Sequence, residues 1–541
     1  LTAMVLGPTA FMSRLCHVHS LRCNFVDTDV HLLKAPLCVC VCVCVQGAVS
    51  VLSSLVNDVA ASQRLLERQK HPDLQLQSMQ SFLQRSGITV DQLDRLNIIH
   101  VTGTKGKGST CAFTERILRN HGLRTGFYSS PHLVHVRERI RIDGWPIGKE
   151  LFTKYFWETM ERLEDTKDLH GGSTPFYFQF LTLLAFHVFL QEKVDLAVVE
   201  VGIGGQYDCT NIIRNPWVCG VTSLGLDHCS LLGDTLEEIA LQKAGIFKPG
   251  VPAFTVSQKP GAMRVLQRRA EEIQCPLVVS PELHQYEAAV GPVRLGLAGS
   301  HQRLNASLAL QLSSSWLQRH KCLFRTDNSA HTLNGLNSQN ASFQPSMAML
   351  RGLQETEWPG RSQTLSCGPV TYYLDGAHTA ESMQACVSWF SVSLVSSRVK
   401  VLLFNTTGER DSAALLSLLV VSEEQRPAHC IKTHPQLFSC VVAAQHSLGV
   451  QMLDRCRENQ NIWESLNAPR QQQLCRPLVA GAAPCSLAFP CILSALQWIS
   501  RMEQPPSGGL QAPCSVSVLV TGSLHLVGGA LKLLEPSLNS Q

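Results

Sequence analysis

The residues best suited to chemistry in this chain are two lysines set among three glycines between Gly103 and Ser109 (GTKGKGS). Gly103, Gly106 and Gly108 let the backbone turn tightly and bring its N–H groups up to an anion. Lys107 can reach the terminal phosphates of a nucleotide, and the hydroxyls of Ser109 and Thr110 stand where a nucleotide-bound Mg²⁺ would find ligands. The spacing departs from the common phosphate loop: Val101 stands where its first glycine belongs, and Gly108 separates Lys107 from Ser109. A second group closes apolar runs, with Glu200 in VDLAVVEV and Asp227-His228 after VTSLGL. A carboxylate at such a place is expensive unless it meets a cation. Glu200 therefore reads as a magnesium ligand or as a capping or salt-bridging strand-end carboxylate, and His228 is open to the same two readings.

These groups need a scaffold that gathers strand ends. Ile98, Ile99 and Val101 predict a buried strand, followed by the glycine loop and an amphipathic helix from Ser109 whose positive end adds to the anion site. Arg124–Ser130, Val194–Val201, Val218–Leu224 and Val251–Val256 read as further strands, with helices over Leu151–Leu163, Phe176–Gln191 and from near Gln302. His135–Ile142 alternates, so a hairpin through Asp143-Gly144 is predicted, with Arg137, Arg139 and Arg141 on one face. Those arginines suit the carboxylates of an acidic substrate, and equally a solvated strand face. Strands alternating with helices predict a doubly wound α/β domain with ligands at the carboxyl ends of its strands, which puts Glu200, Asp227 and His228 on the edge that carries the loop.

After Trp358-Pro359-Gly360-Arg361 a second α/β pattern begins: a strand Val370–Leu374, a turn Asp375-Gly376-Ala377-His378, a helix to about Leu394, and strands Val399–Asn405 and Val516–Thr521. His320–Ser346 reads as a surface insertion, and Gln451–Pro477 and Gln504–Pro513 as loops. The expected division is a leader or low-complexity segment over 1–50, an ATP-binding P-loop domain over 51–348 and a C-terminal α/β domain over 349–541. The leader opens on Leu1, carries a Cys-Val alternation from Cys38 to Val45, and has Arg14 and Arg22 with no acid before Asp27, a weak transit-peptide character.

At 541 residues the chain exceeds what one core organises. With 45% hydrophobic residues, 16% charged and a net charge of +4, it has no global charge to attract nucleic acid, so an anion site must be local. Its 21 cysteines are odd in number and scattered without paired zinc spacing, which predicts reduced thiols. Phe178–Leu190 is too short for a membrane span.

The loop HVTGTKGKGST, the segment SSPHL and the run TSLGLDHCSLLGDTLEEIALQKAGIFK resemble the ATP-dependent amino-acid ligases, the family of the cell-wall Mur ligases and the folylpolyglutamate synthases, in its eukaryotic form. The likeness covers most of Leu96–Arg319 and returns in islands at Trp358–Trp389, Val401–Leu416 and Val518–Pro536. It implies a Mur-ligase-like P-loop domain with a mostly parallel sheet and a smaller Rossmann-like C-terminal domain. It also implies ATP, Mg²⁺ and a monovalent cation such as K⁺ as cofactors, and folate, its polyglutamates and L-glutamate as substrates, in a monomer of the cytoplasm or mitochondrion. The reaction implied is glutamate addition to a folate γ-carboxyl through an acyl phosphate, with dihydrofolate synthesis and an impaired ATP-binding relic as rivals. Residue by residue, it assigns Gly106, Lys107, Gly108 and Ser109 to ATP phosphates, Ser130, Glu200 and His228 to magnesium, and Lys243 to a carbamate beside a second Mg²⁺. Asn305 falls near the adenine and Arg361 on the phosphates, while Asp375 and His378 approach the nucleotide and the incoming amino acid. Ser422–Pro435 is polar where the family has a hydrophobic strand, which puts the folding of that part of the second domain in question.

Overall fold

The structure, a computed structural model, describes residues 36–57, 73–170, 172–324, 343–394, 399–406, 410–419, 439–443, 450–474, 486–501 and 515–539. Its first sheet contains β1 (Ile99–Thr102), β2 (Thr125–Tyr128), β3 (Ile140–Ile142), β4 (Trp145–Pro146), β5 (Leu196–Glu200), β6 (Val218–Val221), β7 (Ala253–Thr255) and β8 (Leu277–Val279). The order is β4-β3-β2-β5-β1-β6-β7-β8, parallel from β2 to β8, with β3 and β4 added antiparallel at one edge. In β5, Ala197 and Val199 enter one core while Leu196 and Val198 enter the core on the opposite face. An uninterrupted apolar run is what a parallel strand covered on both sides requires. Helices Asp73–Arg85, Lys149–Asp165 and Tyr177–Gln191 supply the first core, and Gln302–Phe324 supplies Leu308, Leu312 and Trp316 to the second.

The second sheet contains β9 (Gln363–Cys367), β10 (Val370–Leu374), β11 (Val399–Phe404), β12 (Ser439–Ala443), β13 (Ser486–Phe489) and β14 (Val516–Thr521). Its order, β13-β12-β11-β14-β10-β9, is parallel except for β9. The period of two recurs: Val370, Tyr372, Leu374, Val401, Leu403, Val516, Val518 and Val520 fill one core, and Tyr373, Leu402, Phe404 and Leu519 the other. The fold class is therefore the one the sequence predicts.

Several local expectations are corrected. The helix after the glycine loop begins at Lys107, two residues before Ser109, because Gly106 at φ 90° serves as its left-handed N-cap. Val136–Arg139 is a 3₁₀ turn with only Ile140–Ile142 extended, since Glu138 folds back to accept from the N–H groups of Leu133, Val134 and His135. Arg137 and Arg139 are consequently buried and not on a solvated strand face. Val450–Leu474 is a helix where the sequence predicts a loop, and it places Cys456 and Trp463 in the second sheet's core. A helix over Pro36–Asn57 runs through the Cys-Val alternation and across residue 50, with Ala48 and Leu52 buried against the first core. The two β-rich residue types favour a helix weakly, so tertiary anchoring at Ala48 and Leu52 decides the outcome. Ser422–Pro435, Gln504–Pro513 and most of His320–Ser346 lie outside the described residues.

Candidate active site

The turn after β1 is clamped from two sides. The N–H groups of Thr104 and Lys105 both donate to the Ser223 carbonyl, at 2.9 and 3.1 Å, and the Thr104 hydroxyl donates to the Gly225 carbonyl. Two glycines are obligatory for this packing: a Cβ on Gly103 would stand 1.8 Å from the Thr222 hydroxyl oxygen, and one on Gly106 2.2 Å from Asn305 Oδ1. Gly108 sits where a Cβ would meet Trp358 Nε1 at 3.1 Å and Glu200 Oε2 at 3.5 Å, so the helix start faces both the first sheet's carboxylate and the entry to the second sheet. The hydroxyls of Thr110 and Thr222 are buried at this loop without a hydrogen-bond partner. Unpartnered buried hydroxyls are costly unless a ligand completes them, and these fit a loop built for an anion.

Two lysines converge on one backbone oxygen. Lys107 Nζ donates to the Gly103 carbonyl at 3.1 Å and Lys243 Nζ donates to the same oxygen at 2.8 Å. Lys243 is buried at the end of the helix Leu236–Ala244, and among the described residues no carboxylate lies within ion-pair range of it. Burial, and then the charge on Lys107, press its pKa well below the ordinary lysine value, which favours the neutral amine.

Glu200 closes β5 and is buried, with Oε2 accepting from the Ser130 N–H at 3.0 Å. Burial pushes its carboxyl above the usual range, opposed by Lys107, the Ser130 N–H and Arg361. The Ser130 N–H and the Glu200 carboxylate thus meet at one corner. His228, in the loop after β6, caps the short helix Cys229–Leu232 at φ 55°; its side chain is 44% exposed and its ring lies 3.9 Å from Asp227. Among the described residues no three His, Cys, Asp or Glu side chains gather closely enough to hold a metal by themselves. The hydroxyl and carboxylate of Ser130 and Glu200 are hard donors that suit Mg²⁺, with phosphate and water left to complete its shell.

Asn305 is buried in the helix Gln302–Phe324, donating to Gln302 Oε1 at 2.9 Å, while Gln302 donates in turn to the Ser109 hydroxyl at 3.4 Å. The structure therefore sets Asn305 against Gly106 as a brace of the loop.

The second sheet contributes one turn. Asp375 Oδ2 accepts from the N–H and hydroxyl of Ser362, at 2.8 and 3.0 Å, and Oδ1 accepts from the Ala377 N–H at 2.9 Å. Both oxygens are spent on backbone and serine, so Asp375 locks the segment carrying Arg361 to the segment carrying His378. Burial lowers the Arg361 pKa, with Asp375 and then Glu200 opposing, so both carboxylates act on this cation. His378 Nδ1 lies 2.7 Å from the Gly376 carbonyl and must carry the proton there, leaving Nε2 as an acceptor 3.3 Å from Lys105 Nζ. Burial, followed by Lys105 and Arg410, holds His378 neutral with a pKa of about 3.

Lys105 is the site residue to which sequence reasoning gives no role of its own. It pairs with Asp227 Oδ2 at 2.8 Å while facing His378, and despite the upward push of burial it holds Asp227 at about 2. A second lysine in the glycine loop is the available signal. The arginines of the β3 hairpin are tied inward: Arg137 donates to the Ile147 carbonyl, Arg139 to His132 Nδ1, and Arg141 lies 4.9 Å over the Trp358 ring.

No family model matches the chain. It is 52% identical over 543 residues to the human mitochondrial folylpolyglutamate synthase, covering 91% of this chain and 92% of that protein. Against the folylpolyglutamate synthase of Arabidopsis thaliana it is 38% identical over 520 residues, covering 82% and 80%. Its fold matches the Mycobacterium tuberculosis folylpolyglutamate synthase complexed with ADP and AMPPCP with a TM-score of 0.63 at 22% identity, over 89% of this chain and 99% of that one. An FPGS–AMPPCP–folate complex matches with a TM-score of 0.59 at 22% identity, over 84% and 94%. A phosphate loop after β1, a buried carboxylate at the end of β5 and a second α/β sheet delivering Arg361 and His378 accompany that likeness, and the chain belongs to the folylpolyglutamate synthase family.

Proposed function

We propose that this chain adds L-glutamate to the γ-carboxyl of a folate at the expense of ATP, through an acyl phosphate, releasing ADP and phosphate. The observation that carries this reading is the pair of lysine nitrogens on the Gly103 carbonyl, on the same strand-end edge as buried Glu200 and within the influence of Arg361. In the first step a γ-carboxylate oxygen bonds to the terminal phosphorus of ATP and the bond to ADP breaks. Lys107 and Arg361 are placed to stabilise the charge on the transferring phosphoryl group, and the N–H groups at the start of the helix Lys107–Arg119 receive its oxygens. Gly106, Gly108 and Ser109 bring that backbone close enough, and Asn305 braces it on the nucleotide side. In the second step the neutral glutamate amine bonds to the acyl carbon, the acyl–oxygen bond to phosphate breaks, and the amine's proton departs with the leaving phosphate. His378, neutral and with its ring fixed between the Gly376 carbonyl and Lys105, lines the place where that amine would arrive, and Asp375 holds its turn in place.

Ser130, Glu200 and His228 would hold Mg²⁺, which supplies charge neutralisation on the phosphate oxygens when bound. Lys243 as a neutral amine can bond to the carbon of CO₂ and lose one proton, giving an anionic carbamate oxygen suited to a hard cation. A monovalent cation such as K⁺ is a further proposed cofactor. The nucleotide-binding unit is taken to span 51–348 and the C-terminal unit 349–541, with closure of the two completing the site. The mitochondrial naming of the human and bovine relatives supports a mitochondrial form, with a cytoplasmic one proposed beside it; among the described residues no helix is long and apolar enough to cross a membrane.

Turnover with ATP and glutamate should be compared for tetrahydrofolate, dihydropteroate and no acceptor. Glutamate-dependent ADP release with tetrahydrofolate above the other two supports the proposal. Preference for dihydropteroate would reassign the chain to dihydrofolate synthesis, and no acceptor-dependent turnover would mark a relic.

A further inference from the structure

Lys105 sits in the phosphate loop, yet its side chain turns away from the Gly103 carbonyl that Lys107 and Lys243 share. Its Nζ lies 2.8 Å from Asp227 Oδ2, in the loop after β6, and 3.3 Å from His378 Nε2, in the turn after β10. Three separate strand-end segments, two from the first sheet and one from the second, therefore meet at one ammonium group. Its backbone is fixed independently of these contacts, since the Lys105 N–H donates to the Ser223 carbonyl and the neighbouring Thr104 hydroxyl donates to the Gly225 carbonyl. The His378 ring is equally constrained from its other side, with Nδ1 on the Gly376 carbonyl at 2.7 Å. Lys105 thus donates to the one ring nitrogen with a lone pair to offer.

We propose that Lys105 is a positioning residue that couples the two sheets, by donating to Asp227 and to His378 Nε2 and so holding the imidazole where the incoming amino acid is engaged. The proposal rests on the role given above to His378. It gives the two loop lysines different roles, with Lys107 serving the nucleotide and Lys105 serving the second unit. Asp227 anchors the ammonium on the first sheet, so the coupling needs a donor of lysine reach with a charge at its tip. A charge-assisted hydrogen bond of this kind is directional as well as strong, which suits a contact that must set a ring orientation.

The test uses the full chain, with wild-type ligation of glutamate to tetrahydrofolate established first, so that absence of wild-type turnover would count against the proposed function and not against this inference. Lys105→Met should raise the KM for L-glutamate by roughly tenfold or more while the KM for ATP stays within about twofold, a split that general loss of structure would not produce. Lys105→Arg, which keeps the charge and can reach both partners, should recover most of that loss. In a cycle with His378→Ala, the effect of Lys105→Met on the glutamate KM should largely vanish once the imidazole is gone. Should Lys105→Met fail to fold, as read by its melting, Lys105→Gln takes its place with the same readouts. Unchanged glutamate KM, an equal rise in the ATP KM, or full additivity with His378→Ala would overturn the proposal.

Discussion

The strand-end turn of the first sheet and that of the second use their polar groups in opposite ways. Around β1 and β5, Lys107, Lys243 and Glu200 meet backbone atoms or one another's fields and are left without a matched ion-pair partner among the described residues. In the second sheet Asp375 is saturated by three donors from its own unit. Polar groups left unmatched, buried Glu200 above all, cost stability, and their persistence marks the first turn as the place where ligands complete the structure. Saturated charge stabilises, and it marks the second turn as a rigid arm that presents Arg361 and His378. The two regions should therefore respond differently to mutation, the first losing activity at constant stability and the second losing both together.

The sharpest break of that contrast is at Glu200. Glu200→Gln should lower turnover by at least about 100-fold while its melting temperature stays level or rises, because a buried charge is removed without a lost ion pair. A parallel drop in melting temperature would show that the carboxylate is structural. Asp375→Ala belongs to the other class: it strips acceptors from the buried Ser362 and Ala377 N–H groups, and denaturant unfolding should report a loss of about 2–4 kcal/mol together with reduced turnover. An Asp375→Ala enzyme of unchanged stability would dissolve the distinction between the turns.

Acid should act on the unit built on the first sheet. His100, buried and 2.9 Å from Thr210, is held at about 3 by burial and then by Lys248, and His132 is held at about 3 by burial and then by Arg139. The unfolded chain binds protons near 6.5, so stability contributed by these neutral rings is full above about pH 6.5 and lost progressively as pH falls toward 3. Melting followed over that window should show the decline, and His100→Gln should flatten it. The smallest effect is expected at Arg137, whose guanidinium donates to the Ile147 carbonyl at 2.7 Å. Arg137→Ala should cost about 1–3 kcal/mol with the KM for folate little changed, whereas a large rise in that KM would restore the arginine to substrate binding.

Much of this architecture is legible in the chain because strand burial leaves a periodic record. The apolar runs at Ile99, Leu196, Val218, Val370 and Val516 each become a strand of the expected sheet, and the glycine loop announces itself by residue type. Less legible are features set by partners distant in sequence. The 3₁₀ turn at Val136–Arg139 depends on Glu138 capturing three N–H groups, and the alternation that suggests a strand there is overridden by that local competition. Helix Val450–Leu474 has a weak amphipathic pattern and is fixed by Cys456 and Trp463 entering a core. At the site, residue types single out Lys107 and Glu200 and the family resemblance singles out Lys243, but the convergence of two lysines on Gly103, and the partnership of Lys105 with His378, exist only once β1, the helix Leu236–Ala244 and β10 are brought to one edge.

The account stands most directly on the acyl phosphate. A folate carrying ¹⁸O in its γ-carboxylate should be turned over with ATP and L-glutamate, and the released nucleotide and inorganic phosphate examined by mass spectrometry. Carboxylate attack on the terminal phosphorus predicts that one labelled oxygen leaves in inorganic phosphate for each glutamate added, with ADP unlabelled. Unlabelled phosphate, or label carried away in AMP, would contradict the phosphoryl-transfer chemistry that Lys107, Arg361 and Glu200 are placed to support.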